Sequence, residues 1–219
     1  MKKILFIGNS LTGHIFDTFK WVVDHFADEP ILVDQVWGGG ITLEGLLANG
    51  RAQEALNKDQ WDVVVLQEQS QLPAIPGQGE ASFQKSVTQL VEIIQAQGAE
   101  PILYETWGHF GGDRERKDLY PDYDSMQLAL TKAYNKAATN NLIRTIPIGQ
   151  IWKKLKYDGS ELFNKLVEDD LYHPSSLGQF FNACIFFHLL LKQNVFNVET
   201  QEGLAPEDCQ TLIQITSKL

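Results

Sequence analysis

Short apolar runs rich in β-branched residues recur along the chain, each followed by a longer stretch with apolar residues at helical spacing. The runs are Ile4 to Ile7, Ile31 to Val36, Val63 to Leu66, Ile102 to Tyr104 and Leu142 to Ile146. The stretches between them are about Thr12 to Phe26, Leu43 to Leu56, Ala81 to Gln97 and Asp122 to Thr139, and a further helix is expected over Leu177 to Leu191. A strand that is apolar on both faces needs cover on both faces, which a parallel sheet with helical crossovers supplies. The alternation therefore predicts an α/β fold of three layers, α/β/α, around five parallel strands.

Strands in this sequence most simply give a flavodoxin-like sheet ordered 2-1-3-4-5, with ligands expected beyond the strand C-termini. Those ends carry Gly8-Asn9-Ser10, Gly38-Gly39-Gly40, Gln67-Glu68-Gln69-Ser70 and Thr106-Trp107-Gly108-His109, more polar residues and glycines than turns alone require. Two long loops flank the same rim, Gln71 to Gly79 and Trp107 to Tyr123. The run Asp113 to Asp118 reads as a solvated surface segment, and Glu68 as a charge on a helix face. No internal repeat or Pro/Gly/Ser-rich linker divides the 219 residues, so a single domain over 1–219 is expected.

Composition adds mainly exclusions. A formal net charge of -10 disfavours nucleic acid and anionic membrane surfaces, whose binding relies on clustered Lys and Arg. No apolar run approaches the ~18 residues of a membrane span. Cys184 and Cys209 stand apart from one another and from any metal-ligand spacing, so buried or incidental thiols are expected, with no metal site and no cofactor. Met1-Lys2-Lys3 runs directly into the first strand without a signal-peptide apolar region, which points to a cytoplasmic location.

Ser10 follows the first strand at the start of a helical pattern, where unpaired backbone N–H groups and the helix dipole stabilise an anion. It is either an N-cap serine or a nucleophile. A nucleophilic serine needs a histidine held by a carboxylate. Asp170-Leu171-Tyr172-His173-Pro174 offers one ahead of the last helix, with Asp169 as the fallback orienter. In that arrangement Asp170 accepts from His173 Nδ1 and leaves Nε2 free to deprotonate Ser10. His14, four residues after Ser10, either contacts substrate or occupies the rim, and Trp107 and His109 either wall a pocket or simply pack. His25 and His188 fall in helical patterns and read as structural.

Gly8-Asn9-Ser10-Leu11 near one end and Asp170-Leu171-Tyr172-His173-Pro174 near the other resemble the first and last blocks of the SGNH, or GDSL-like, hydrolases. The resemblance covers about residues 4 to 191 and leaves a C-terminal extension, 192–219, outside it. It implies a serine esterase acting on a small-molecule ester, with Ser10, Asp170 and His173 as catalytic residues. The oxyanion hole it implies comprises Ser10, the backbone N–H of Gly40, with Gly39 close behind, and a side-chain amide after the third strand. The family's usual Gly-x-Asn-Asp in that third block is replaced by Gln67-Glu68-Gln69-Ser70, so Gln69 takes the asparagine position with the same donor group on a longer stem. A related subgroup carries a similar Leu-Gln-Glu-Gln-Ser run. Gly39, Trp107 and His14 are the substrate-binding candidates, and the aromatic loop around Trp107 and Phe110 leans toward a small acyl group on a sugar.

Two other readings compete. A flavodoxin-like phosphate- or nucleotide-binding module would use Ser10, Thr12 and Gly13 but leave Asp170 and His173 without a role. An inactive SGNH fold serving as a binding protein would account for the missing asparagine. Neither the alcohol part of the substrate nor the oligomeric state is legible in the sequence.

Overall fold

A computed structural model describes residues 1–196 and 203–219. Five strands, β1 (Lys2–Asn9), β2 (Ile31–Gly38), β3 (Val63–Leu66), β4 (Glu100–Tyr104) and β5 (Arg144–Ile146), form one sheet in the order β2-β1-β3-β4-β5, all pairings parallel. The order is the one expected from the sequence. Successive side chains of a strand point to opposite faces, and here they feed two separate cores. Ile4, Phe6, Val63, Val65, Ile102 and Tyr104 face one layer, while Leu5, Ile7, Val64, Leu66 and Leu103 face the other.

The first layer is built by α1 (Ser10–Phe26), α6 (Ile148–Tyr157), α7 (Ser176–Leu191) and α8 (Pro206–Thr216). The second holds α2 (Leu43–Ala48), α3 (Arg51–Asn57), α4 (Gln78–Ala96) and α5 (Tyr123–Asn141). The single helix expected over Leu43 to Leu56 is two helices, because Gly50 turns left-handed at φ 79° and breaks the register between α2 and α3. The strand expected from Leu142 begins at Arg144 instead. Leu142 is the C-cap of α5, with φ 54°.

Helix α6 was not foreseen, because its apolar positions follow the fifth strand after only Pro147. Within the 192–219 extension, residues 197–202 lie outside the described residues. The remainder includes α8, which packs on α7 and adds Cys209, Leu212 and Ile213 to the first core. The apolar packing therefore continues past residue 191. Both cysteines are buried and free. No helix among the described residues is long and apolar enough to cross a membrane.

Candidate active site

The sequence Gly8-Asn9-Ser10 ends β1 and starts α1 without an intervening loop. Gly8 is required by close approach: a Cβ there would stand 2.2 Å from Thr12 Oγ1 and 2.5 Å from Gln67 Oε1. Asn9, not Ser10, is the N-cap, its side-chain oxygen accepting from the Leu11 N–H at 2.9 Å. The Ser10 hydroxyl is thereby free of capping duty. It lies 3.0 Å from His173 Nε2.

His173 comes from the turn before α7, whose ends are joined by the Val167–Pro174 bridge and by Glu168 N–H donating to His173 O. Within it Leu171 adopts φ 70°, a left-handed conformation worth roughly 1–2 kcal/mol of strain for a non-glycine residue. That bend brings Asp170 Oδ2 to 2.6 Å from His173 Nδ1, while Oδ1 accepts the backbone N–H groups of Tyr172 and His173. Partial burial pushes the Asp170 carboxyl up, but those two amides and the imidazole outweigh it and hold the group below the usual carboxylate range. Asp170 is therefore an anion in the neutral range. Asp169 is exposed and is not needed as the orienter.

Beside Ser10 a cavity of about 200 Å³ opens at the strand C-termini. Gly40 lines it in a left-handed turn, φ 62°, closed by Ile41 N–H on Gly38 O. Among the described residues the Gly40 N–H has no intramolecular acceptor, nor has that of Ser10. Gln69 lines the cavity as well, but its amide oxygen is held by the N–H groups of Gln71 and Leu72, both at 2.9 Å. One hydrogen of its Nε2 goes to Gln71 Oε1, which leaves the second for another acceptor. A larger depression of about 620 Å³ lies between β2 and α3, over Asp34, Arg51 and Lys58, and has no nucleophile paired with a base.

Several residues take places the sequence left open or did not suggest. Trp107 is not a pocket wall: it is fully buried, stacked 4.0 Å from Trp152, and its indole N–H reaches Tyr172 O. Gly39 is exposed beside the cavity, whose lining includes Gly40 rather than Gly39. His14 lies against the flat face of His173, centroids 4.5 Å apart and planes within 7°, instead of in the cavity. Burial, and next the neighbouring His173, lower the His14 pKa, so the stacked ring stays neutral at neutral pH. Glu68 is a fully buried carboxyl and not a helix-face charge. In the charged run, Asp113 is also buried, held by Gln71 and Arg116, and Arg114 and Glu115 line the cavity.

Gln67 and Ser70 are further neighbours with no individual role legible in the sequence, and His109 is a candidate left open there between pocket wall and packing. Gln67 Oε1 accepts from Asn9 N–H at 3.0 Å and Thr12 Oγ1 at 2.9 Å, tying β3 to the turn that presents Ser10. Ser70 Oγ lies 3.0 Å from His109 Nε2, and both face the cavity. His109 stacks on Tyr172, and burial lowers its pKa to about 4. In sequence, Gln67 and Ser70 are marked by a run of four polar residues directly after a fully apolar strand. Glu168, Asp170 and His173 bring possible metal-ligand atoms within 4.8 Å of one another, yet Asp170 and His173 are already bonded to each other.

No protein-family model matches the chain, and no curated protein matches it in sequence. Solved structures do. A candidate SGNH hydrolase from Slackia heliotrinireducens is 27% identical, aligning over 83% of this chain and 95% of that one with a TM-score of 0.67. A DUF4886 family protein from Bacteroides uniformis aligns over 99% and 93% at 20% identity, with a TM-score of 0.80. A catalytic mutant of an acetylxylan esterase from Geobacillus stearothermophilus aligns over 85% and 93% at 15% identity, with a TM-score of 0.66. By its fold and by these likenesses, the chain falls within the SGNH hydrolase superfamily.

Proposed function

We propose that the chain is a serine esterase in which Ser10, His173 and Asp170 hydrolyse a carboxylic ester through an acyl-enzyme. The carrying observation is the unbroken relay from Ser10 Oγ through His173 to Asp170, with steps of 3.0 Å and 2.6 Å, beside a cavity. Ser10 Oγ attacks the ester carbonyl carbon as its proton passes to His173 Nε2. The imidazolium so formed is stabilised by the Asp170 carboxylate, and the carbonyl oxygen, now negative, faces the free N–H groups of Ser10 and Gly40 and the spare hydrogen of Gln69. Collapse breaks the bond to the alcohol, which leaves with the proton from His173. A water deprotonated by the same imidazole then hydrolyses the acyl-enzyme and restores Ser10.

A small acyl group, such as acetyl on a carbohydrate, suits the site best. The cavity, about 200 Å³, falls below the ~300–1,000 Å³ common for drug-sized ligands and leaves little room for a long chain. Its wall of Ser70, Gln71, His109, Arg114 and Tyr172 offers polar partners to hydroxyl groups. One of the similar structures is an acetylxylan esterase, in keeping with this choice.

Hydrolysis of 4-nitrophenyl acetate tests the reading. Ser10→Ala and His173→Ala are each expected to lower kcat by at least ~10³-fold, and turnover unchanged in either variant overturns it. A series of acyl-chain lengths and acetylated sugars tests the substrate. A preference for chains of eight carbons or more would refute the small-acyl assignment.

A further inference from the structure

Glu68 is a fully buried carboxylate-bearing residue at the strand ends that the relay from Ser10 does not use. Its Oε1 accepts two backbone N–H groups from different segments, Leu43 at 3.1 Å and Gln69 at 2.7 Å. Leu43 starts α2, three residues after Gly40, and Gln69 contributes the third lining group of the proposed oxyanion hole. A single oxygen atom thus joins the two segments that carry the donors. The Glu68 backbone N–H in turn reaches the Tyr134 hydroxyl on α5, at 3.4 Å, which anchors the residue from the layer behind.

A purely structural explanation is weak. Helix α2 already has a cap, since Thr42 Oγ1 accepts from Gly45 N–H at 3.0 Å. Among the described residues no cation pairs with Glu68, and its Oε2 is buried with no hydrogen-bond partner. A buried carboxyl without a counter-charge costs free energy that an apolar side chain would avoid. Burial raises the Glu68 pKa to about 7, against the opposing pull of the Gln69 and Leu43 amides.

We infer that Glu68 is a positioning residue for the oxyanion hole, clamping the Gly40 loop to the Gln69 turn so that their donors converge on one point. The inference rests on the esterase reading above. Stabilisation of an oxyanion depends on donors fixed in advance, and loss of one donor typically costs ~10²–10³ in rate. Loosening two donors without deleting either is expected to cost less, about tenfold to a hundredfold. Because the ester carbonyl of the ground state gains little from the hole, the loss belongs in kcat and not in KM.

The test uses Glu68→Ala and Glu68→Gln with 4-nitrophenyl acetate. Glu68→Ala is expected to lower kcat at least about tenfold with KM within about twofold, and to slow phosphonate labelling of Ser10 in parallel. Glu68→Gln keeps an acceptor oxygen and is expected to restore most of kcat, which general loosening of the core would not predict. Should Glu68→Ala fail to fold, Leu43→Pro set against Leu43→Ala decides. Both shorten the side chain, but only proline removes the N–H that Glu68 accepts, at a first helical position where proline is tolerated. The clamp then requires kcat of Leu43→Pro to fall at least about tenfold below that of Leu43→Ala. Glu68→Ala turnover within twofold of wild type, or equal turnover in the Leu43 pair, overturns the clamp alone. Turnover that survives Ser10→Ala overturns the esterase reading itself.

Discussion

The indole N–H of Trp107 donates to the backbone carbonyl of Tyr172, 2.9 Å away, and so ties the end of β4 to the turn that carries His173. Trp107 is clamped in turn against Trp152 of α6, at 4.0 Å and 13° between planes. The side chain that by sequence could wall a pocket or simply pack acts behind the site, on the backbone next to the histidine.

Trp107→Phe removes that donor while keeping an aromatic ring in the stack. Tyr172 O is then left without its partner, a loss typically worth about 1–3 kcal/mol for a buried group. The expected result is a folded protein with kcat lowered by about threefold to tenfold and a smaller change in KM, since a misplaced base affects the transition state first. Steady-state kinetics and thermal melting together check this. A fall in melting temperature with kcat unchanged would show that the bond serves the core alone.

Two buried groups give the fold opposed responses to pH. His109 falls from 6.5 to about 4 on folding, so between those values the unfolded chain binds more protons and stability rises with pH. Glu68 rises from 4.5 to about 7, so between those values the folded chain binds more protons and stability falls as pH rises. Each effect amounts to at most about 3 kcal/mol, and over their common range, pH 4.5 to 6.5, they offset one another. Denaturation in urea across pH 4 to 7 is expected to show Glu68→Gln gaining stability with pH relative to wild type. His109→Asn is expected to lose stability with pH on the same scale. Parallel curves for all three proteins would refute both shifts.

Leu142 caps α5 in a left-handed conformation with its side chain 91% exposed. Glycine adopts that conformation without the clash of a Cβ, and nothing packs on the leucine to be lost. Leu142→Gly is therefore expected to raise stability by about 1 kcal/mol, or about 2–4 °C in Tm for a chain of this size. Differential scanning calorimetry measures it directly, and a lowered Tm would contradict the cap assignment.

Much of the fold was legible because strand burial leaves a local trace. Val63–Leu66 is apolar at every position since both faces are covered, and the helical spacing after each strand implies the cover. Ends of elements were less legible. Nothing in the local pattern distinguishes Leu142 as a cap from the start of a strand, and α8 announces itself only by packing on α7.

The chemistry available at the rim is written in the local sequence: a serine directly after β1, an Asp-x-x-His before α7, and glycine where the chain turns left-handed at Gly40. Each is a property of a short segment, so neighbouring residues suffice to read it. What the remaining polar residues do depends on the packed fold. Gln67, Glu68 and Trp107 bind Asn9, Leu43 and Tyr172, which lie 58, 25 and 65 positions away in sequence and on different elements. Whether a glutamate faces solvent or clamps two loops depends on which backbone N–H groups the packed sheet brings to it, and that is fixed by the order of the strands and not by any local pattern.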